Sequence, residues 1–116
     1  MMKDSLLAKK PEIILFTNTT DEQFVKDICA GIEEDGLLYR CMEVEGRDAN
    51  LLAKEACSEA TIGVGISVVG QIAVLTAENL ELQKPLQIVR DADKVQARVL
   101  GKNAARYIKK MPLVIE

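Results

Sequence analysis

The chain has 116 residues, of which 48% are hydrophobic and 28% are charged, and its formal net charge is −3. This length and composition are typical of a single globular domain with one core. The charge gives no basic face for nucleic acid, and no apolar run is long enough to cross a membrane. Because the chain contains no histidine, sites that need histidine as a base, metal ligand or proton shuttle are excluded.

The three cysteines, Cys29, Cys41 and Cys57, lie far apart and form no C-x-x-C pair. This spacing argues against the usual zinc and dithiol motifs. We therefore expect all three to be small, buried apolar side chains of a cytoplasmic protein.

The chain begins with MMKDSLLAKK, residues 1–10, which we interpret as a disordered leader ahead of one domain at residues 11–116. The run EIILF, Glu12 to Phe16, predicts a strand buried on both faces. The polar residues Thr17 to Thr20 then predict a loop that leads into a helix.

That first helix is predicted to begin near Asp21, with Thr20 as its N-cap and Gln23 completing a capping box. It ends in the stretch CAGIEEDG, residues 29–36. Its apolar stripe has helical spacing and consists of Phe24, Val25, Ile28 and Ile32.

The last turn of this helix carries three adjacent acids, Glu33, Glu34 and Asp35, followed by Gly36. Gly36 suits the left-handed residue that ends a helix. The partial negative charge at a helix C-terminus disfavours acids there. Because Glu33 and Glu34 flank the side away from the apolar stripe, we expect them to point outward, free to meet a cation. The alternative is a solubilising acidic turn with no specific role.

The rest of the chain predicts four strands and two helices. In chain order these are strand 38–44, helix 49–60, strands 63–69, 72–76 and 86–89, and a helix capped by Asp91 that runs to about Lys110. Leu51, Leu52, Ala53 and Ala56 are expected to supply the buried face of the second helix, and Val95, Val99, Ala104, Tyr107, Ile108 and Met111 that of the third. The turn Gly70-Gln71 predicts an antiparallel hairpin, so the sheet is mixed. Helices between the early strands imply parallel crossovers, with helices on both faces.

Gly63, Gly65 and Gly70 do not make a phosphate-binding loop, because they lie within and at the end of a strand that is followed by a hairpin. Gly65 is better explained as a place where a neighbouring backbone comes close. No nucleophile is paired with a base anywhere in the chain. The sequence therefore predicts a non-catalytic α/β domain.

Three stretches of the chain resemble a known family: GIEEDGLLYR at residues 31–40, GVGIS at 63–67 and LGKNAARYIKKMPL at 100–113. The family is the small subunit of the reactivating factor for adenosylcobalamin-dependent diol and glycerol dehydratases. The resemblance implies a three-layer α/β/α domain with a five-stranded mixed sheet, similar in topology to an anticodon-binding domain.

The resemblance also implies partners. In the family, a large chaperone-like subunit binds and hydrolyses ATP, pairs with the small subunit in an α2β2 hetero-oligomer, and releases damaged cobalamin from the inactivated dehydratase. The small subunit is thought to exchange with the medium subunit of the dehydratase. An acid at the second Glu of the GIEE motif, here Glu34, ligates a divalent metal held by the large subunit. Mg²⁺ or Ca²⁺ suits such a carboxylate site.

Two other functions stay open at this point. One is that the chain is the medium subunit of a dehydratase itself, an enzyme component, although residues 1–10 are too short to supply the extra N-terminal sequence of that subunit. The chain also has the size of a stand-alone small-molecule-binding domain, which a cobalamin titration would reveal.

Overall fold

A computed structural model describes residues 12–78 and 84–114. The elements are, in chain order, β1 (Glu12–Asn18), α1 (Glu22–Glu34), β2 (Leu38–Glu43), α2 (Ala49–Glu59), β3 (Val64–Val69), β4 (Ile72–Ala77), β5 (Gln87–Arg90) and α3 (Lys94–Ile108). This is the predicted order, with the ends of most elements moved by one to three residues. The predicted leader, residues 1–10, lies outside the described ranges.

The five strands form one mixed sheet in the order β2-β1-β3-β4-β5. β1 pairs in parallel with β2 and β3, whereas β3–β4 and β4–β5 are antiparallel. α1 and α3 pack against each other on one face, and α2 covers the other. The predicted three-layer α/β/α architecture with a five-stranded mixed sheet is confirmed.

The central strand β1 is buried on both faces, as its apolar run predicts. Ile13 and Leu15 contribute to the larger core under α1 and α3, and Ile14 and Phe16 to the smaller core under α2. Side chains alternate between the faces of a strand, so a continuous apolar run is needed where both faces are covered.

Helices cover both faces of the sheet, as expected, but the cover by α2 does not extend to β2. This strand lies at the edge of the sheet, and Leu38 and Met42 are 50% and 37% exposed. α2 packs mainly over β3 and β4, so the face of β2 that carries these two side chains stays uncovered.

The start of α1 lies one residue later than predicted. Asp21, not Thr20, is the N-cap, and its carboxylate accepts a hydrogen bond from the backbone N–H of Phe24. The Gln23 side chain donates to Asp27 and does not close a capping box. Thr19 is the residue that supports this turn, because its hydroxyl accepts from the Asp21 N–H.

The start of α3 also differs from the prediction. Asp93 is the N-cap, and with Gln96 it forms a complete capping box. Asp91 instead has a φ of +49°, in the left-handed region that Asp tolerates better than most residues. Either aspartate suits a cap by residue type, so backbone geometry decides between them.

Several apolar residues predicted on the buried sides of helices are exposed: Leu51, Val95, Tyr107 and Met111. Leu51 falls outside the buried side of α2, which consists of Leu52, Ala53, Ala56 and Cys57. At Gly65 an added Cβ would lie 2.3 Å from the backbone N of Cys57. The predicted close approach at Gly65 is therefore confirmed, and α2 sits directly on the sheet through its small residues.

Candidate functional site: the acidic end of helix α1

Two glycines let α1 and α3 pack backbone to backbone. A Cβ added to Gly31 would lie 2.0 Å from the carbonyl O of Arg98, and one added to Gly101 would lie 1.9 Å from the carbonyl O of Ile28. No side chain fits at either distance. The first and third of the family-like stretches are therefore pressed together, and this contact fixes which residues of α3 face the acidic turn.

α1 ends where the sequence predicts it. Gly36 has a φ of +81°, its N–H donates to the carbonyl of Glu33, and the N–H of Leu37 donates to the carbonyl of Ile32. This pair of bonds is the Schellman motif, which needs a left-handed residue and so favours glycine. The turn holds Glu33, Glu34 and Asp35 in a fixed orientation.

The Glu34 carboxylate is paired with two cations of α3. One oxygen contacts the Arg98 guanidinium, and the other lies 3.2 Å from the Lys102 ammonium. The side chain is still 36% exposed. Glu34 is therefore a surface carboxylate that is already neutralised within the chain.

Asp35 binds the next turn of α3 and the residues beyond it. Its carboxylate accepts a 2.9 Å hydrogen bond from Arg106 Nε, and its backbone carbonyl accepts one of 2.6 Å from Lys109 Nζ. Lys102 lies 4.0 Å from the same carboxylate and so stands between the two acids. Basic groups thus compensate both the acids and the negative end of the helix dipole.

These contacts correct the expectation that the acidic turn is free to meet a cation. Glu34 points outward but is ion-paired, whereas exposed Glu33 has no ion pair among residues 12–78 and 84–114. Sequence reasoning missed the basic partners. The sequence does contain an indication of them: Arg98, Lys102 and Arg106 are spaced four apart and therefore lie on one face of a helix.

A divalent metal at Glu34 would need most of its ligands from elsewhere. The described part of the chain holds no cluster of three or more acidic or cysteine side chains able to bind a metal. A carboxylate oxygen at the surface does suit Mg²⁺ or Ca²⁺ as a single ligand. Before it could bind one, it would have to leave Arg98 and Lys102.

Concave surfaces occur elsewhere on the molecule. A cleft of about 300 Å³ lies at the carboxyl end of β1 and is lined by Thr17, Thr19, Glu22, Val25, Lys26, Cys41 and Glu43. Two smaller hollows of about 180 and 210 Å³ lie beside α2 and share Asn50 and Val74. Cys41 is the one thiol among these lining residues, and its hydrogen-bond partner is the Cys29 thiol, not a base.

The prediction that all three cysteines are buried is wrong for Cys41. Cys29 and Cys57 are buried, whereas Cys41 is exposed on β2. The Cys29 and Cys41 sulfurs lie 3.7 Å apart. A spacing of 12 residues gives no indication of this contact, which depends on how α1 lies across the sheet.

No helix in the described part of the chain is long and apolar enough to cross a membrane.

Comparisons with known proteins agree with the fold and with the family-like stretches. The family model of the dehydratase medium subunit matches residues 10–114. The propanediol dehydratase-reactivating factor small subunit of Citrobacter freundii is 29% identical over 88% of this chain and 89% of its own length. A probable glycerol dehydratase-reactivating factor small subunit of the same organism is 32% identical over 74% of this chain and 76% of its own length.

Solved structures give the same result. A glycerol dehydratase reactivase superposes with a TM-score of 0.83 at 27% identity, covering 90% of this chain and 97% of the other. A diol dehydratase-reactivating factor, solved with ADP and Mg²⁺, superposes with a TM-score of 0.81 at 24% identity, covering 91% and 98%. The resemblance to reactivating-factor small subunits is confirmed by these matches. The chain belongs to the dehydratase medium subunit family, and the two curated relatives reported above are small subunits of dehydratase-reactivating factors.

Proposed function

We propose that this protein is the small, non-catalytic subunit of an ATP-dependent reactivating factor that releases damaged cobalamin from an adenosylcobalamin-dependent diol or glycerol dehydratase. The observation that carries the proposal is the similarity, over most of both chains, to reactivating-factor small subunits. A large subunit binds and hydrolyses ATP, pairs with this chain in an α2β2 assembly, and exchanges it for the dehydratase medium subunit. The assembly works in the cytoplasm, without nucleic acid or membrane.

The relation between the two kinds of subunit supports exchange as the mode of action. The family model that matches this chain is the one described for a dehydratase medium subunit, while the curated relatives are reactivating-factor subunits. Two chains of one fold can use the same surface on a common partner. Competition for that surface is what exchange requires.

Glu34 is proposed as this chain's single ligand to a Mg²⁺ or Ca²⁺ ion that the large subunit holds. The support is its exposed position at a rigid helix end and its hard oxygen donors. To hold the ion, the carboxylate would have to leave Arg98 and Lys102. These two side chains would then be free to pair with acidic groups of the partner.

The test is co-expression with a large subunit from the same genome, followed by size-exclusion chromatography with and without a chelator. Wild type should co-elute with the large subunit, and Glu34→Gln should weaken the complex in a metal-dependent way. Glu33→Gln is the matched control, because it removes the neighbouring charge from the same turn. Failure to co-elute under any nucleotide condition would overturn the partner. Equal binding by Glu34→Gln, with and without chelator, would overturn the metal role alone.

The isolated chain should show no turnover, including no ATP hydrolysis. The reason is the absence of histidine and of a phosphate-binding loop from the sequence. The measurement is phosphate release by rigorously purified protein. Hydrolysis that persists after purification to homogeneity would contradict the assignment.

A second candidate function is that of a medium-subunit component within a dehydratase, which the family model favours. Reconstitution separates the two. If this chain replaces the medium subunit and restores diol turnover to the other dehydratase subunits, it is an enzyme component. If it supports only recovery of the inactivated enzyme in the presence of ATP and a large subunit, the first function holds.

A further inference from the structure

Two thiols of different exposure meet where α1 crosses the edge of the sheet. Cys29 lies on the buried side of α1, and Cys41 lies on β2, with its sulfur 3.7 Å from that of Cys29. In the described part of the sheet β2 has a strand on one side only. Cys41 therefore belongs to a segment that can shift more easily than the central strands.

The exposed thiol opens onto a cleft that a small molecule can enter. Cys41 lines the cleft of about 300 Å³ at the carboxyl end of β1, together with Lys26, Thr17 and Thr19. Lys26 contributes a positive charge to this cleft, and Glu22 and Glu43 contribute negative ones. Hydroxyl and ammonium groups of this kind also suit a small polar oxidant.

The electrostatics separate the roles of the two sulfurs. A hydrogen bond with the Cys29 thiol lowers the pKa of Cys41, and the same bond, together with burial, raises the pKa of Cys29. The negative charge belongs on Cys41 because that sulfur is the better solvated one. A hydrogen bond with Tyr39 lowers the pKa of Cys29 and the negative charge of Glu33 raises it, but both effects are smaller than those of the Cys41 bond and of burial. Cys41 is thus the nucleophile, and Cys29 keeps its proton.

We propose that Cys41 and Cys29 form a peroxide-reactive pair that closes to an intramolecular disulfide between β2 and α1. The Cys41 thiolate attacks one oxygen of hydrogen peroxide, the O–O bond breaks, and the products are a sulfenic acid and hydroxide. The Cys29 sulfur then attacks the Cys41 sulfur, and the sulfenic oxygen leaves as water with the Cys29 proton. The proton lost by Cys41 neutralises the hydroxide. Two thiols are oxidised, and the peroxide is reduced to two waters.

The geometry needs a modest movement. A disulfide holds its sulfurs at about 2.05 Å, so those of Cys29 and Cys41 must approach by about 1.7 Å. Rotation of the exposed Cys41 side chain on an edge strand can supply most of this approach of the two sulfurs. The bond would tie β2 to the helix that ends at Glu34, but it would form whether or not a partner uses that helix end.

The third cysteine is a control within the same molecule. Cys57 is buried, its sulfur donates to the carbonyl of Gly63 at 3.0 Å, and burial raises its pKa to about 11. Cys57 is a thiol like the other two, but it has no exposed thiol as a partner. It should therefore remain a free thiol when the other two react.

The experiment is peptide mapping by mass spectrometry of the full chain, treated with hydrogen peroxide and then blocked with iodoacetamide without a reductant. The expected product is a Cys29–Cys41 linked peptide that dithiothreitol separates, with Cys57 alkylated. Before oxidation, Cys41 should react with iodoacetamide on the order of tenfold faster than Cys57. In Cys29→Ala the sulfenic acid of Cys41 should accumulate and be trapped by dimedone, and in Cys41→Ser no linked peptide should form.

Three results would overturn the proposal. They are a wild-type chain in which Cys41 oxidises without linking to Cys29, a disulfide between two copies through Cys41 as the main product, and equal reactivity of Cys41 and Cys57. Each of these results is measured on the wild-type protein, without any substitution. The proposal therefore stays testable even if a variant fails to fold.

Discussion

Glu34 and Asp35 combine an unfavourable position with favourable neighbours. Acids at a helix C-terminus cost about 0.3–1 kcal/mol each through the helix dipole. Arg98 and Lys102 oppose that cost at Glu34, and Arg106 opposes it at Asp35. Exposed pairs contribute about 0.2–1 kcal/mol each, so the two effects are of similar size. Charge balance at this turn therefore depends on α3, not on α1 alone.

Glu34→Gln should lower the free energy of unfolding by up to about 1 kcal/mol, because it leaves Arg98 and Lys102 without their carboxylate. From the sequence alone one would expect no loss or a slight gain, because only the dipole is visible there. The measurement is urea denaturation of the free chain at low and high salt, and the loss should shrink as salt screens the pairs.

Glu33→Gln is the control for this change. Glu33 lies in the same turn without an ion pair in the described ranges, so its loss should leave stability unchanged or slightly raised. Equal effects of the two variants at low salt would mean that the contacts of Glu34 contribute nothing measurable.

At the scale of elements, α1 and α3 cross closely because two glycines at the crossing have no side chains. Gly31 and Gly101 each face a carbonyl oxygen of the other helix. Small residues at a crossing allow the axes to come closer than ordinary side chains permit. This approach places the basic face of α3 beside the end of α1.

Gly31→Ala should therefore destabilise the chain by about 1–3 kcal/mol or more, because the new Cβ would lie 2.0 Å from a backbone oxygen. Helix propensity alone predicts the opposite sign, a gain of about 0.5–1 kcal/mol. Thermal unfolding followed by circular dichroism measures the change.

A comparison variant is Gly46→Ala, whose added Cβ would lie 2.9 Å from Cδ2 of the buried Leu52 side chain, an atom that can shift more easily than backbone. We expect a smaller loss at this position than at Gly31. A Gly31→Ala protein as stable as wild type would show that the two helices separate at little cost.

The start of α3 gives a second prediction at this scale. Asp93→Ala should lower stability by about 1 kcal/mol, because it removes the capping box with Gln96. Asp91→Asn should be nearly neutral, since Asn tolerates the left-handed backbone at that position. Chemical denaturation of both variants tests the assignment, and the reverse order of effects would place the cap at Asp91.

At the scale of the whole molecule, coverage of the sheet is uneven. β1 and β3 lie in the middle between helices, whereas β2 and β5 form the edges and expose Leu38, Met42 and Ile88. Edge strands with exposed apolar side chains are candidates for contact with other chains. The edge at β2 also adjoins the turn that carries Glu34.

Hydrogen exchange should follow this arrangement. Amides of β1 and β3 should exchange only through global unfolding, and those of β2 should exchange faster through local opening. Mass spectrometry of peptides from the free chain measures both. Protection of β2 equal to that of β1 would contradict the interpretation of β2 as a weakly held edge. In a complex with a large subunit, added protection at β2 would place this edge at the interface.

Local patterns in the sequence were enough to predict the order of the elements, the mixed sheet and the end of α1. These depend on local signals: continuous apolar runs for buried strands, Gly70-Gln71 for the hairpin, and Gly36 for a left-handed helix end. Each signal acts over a few residues and keeps its meaning wherever the segment is placed. The family-like stretches also pointed to Glu34, whose role as a metal ligand remains a prediction.

Which side chains meet depends on the packing of whole elements. Arg98 and Lys102 reach Glu34, 64 and 68 residues apart in sequence, because two glycines bring their helices into contact. Cys29 and Cys41 meet because α1 crosses an edge strand. The exposure of β2 could not be predicted for the same reason, since an apolar pattern cannot show that a strand lies where no helix covers it. Contacts over long sequence distances depend on how whole elements pack, and local patterns carry no record of that packing.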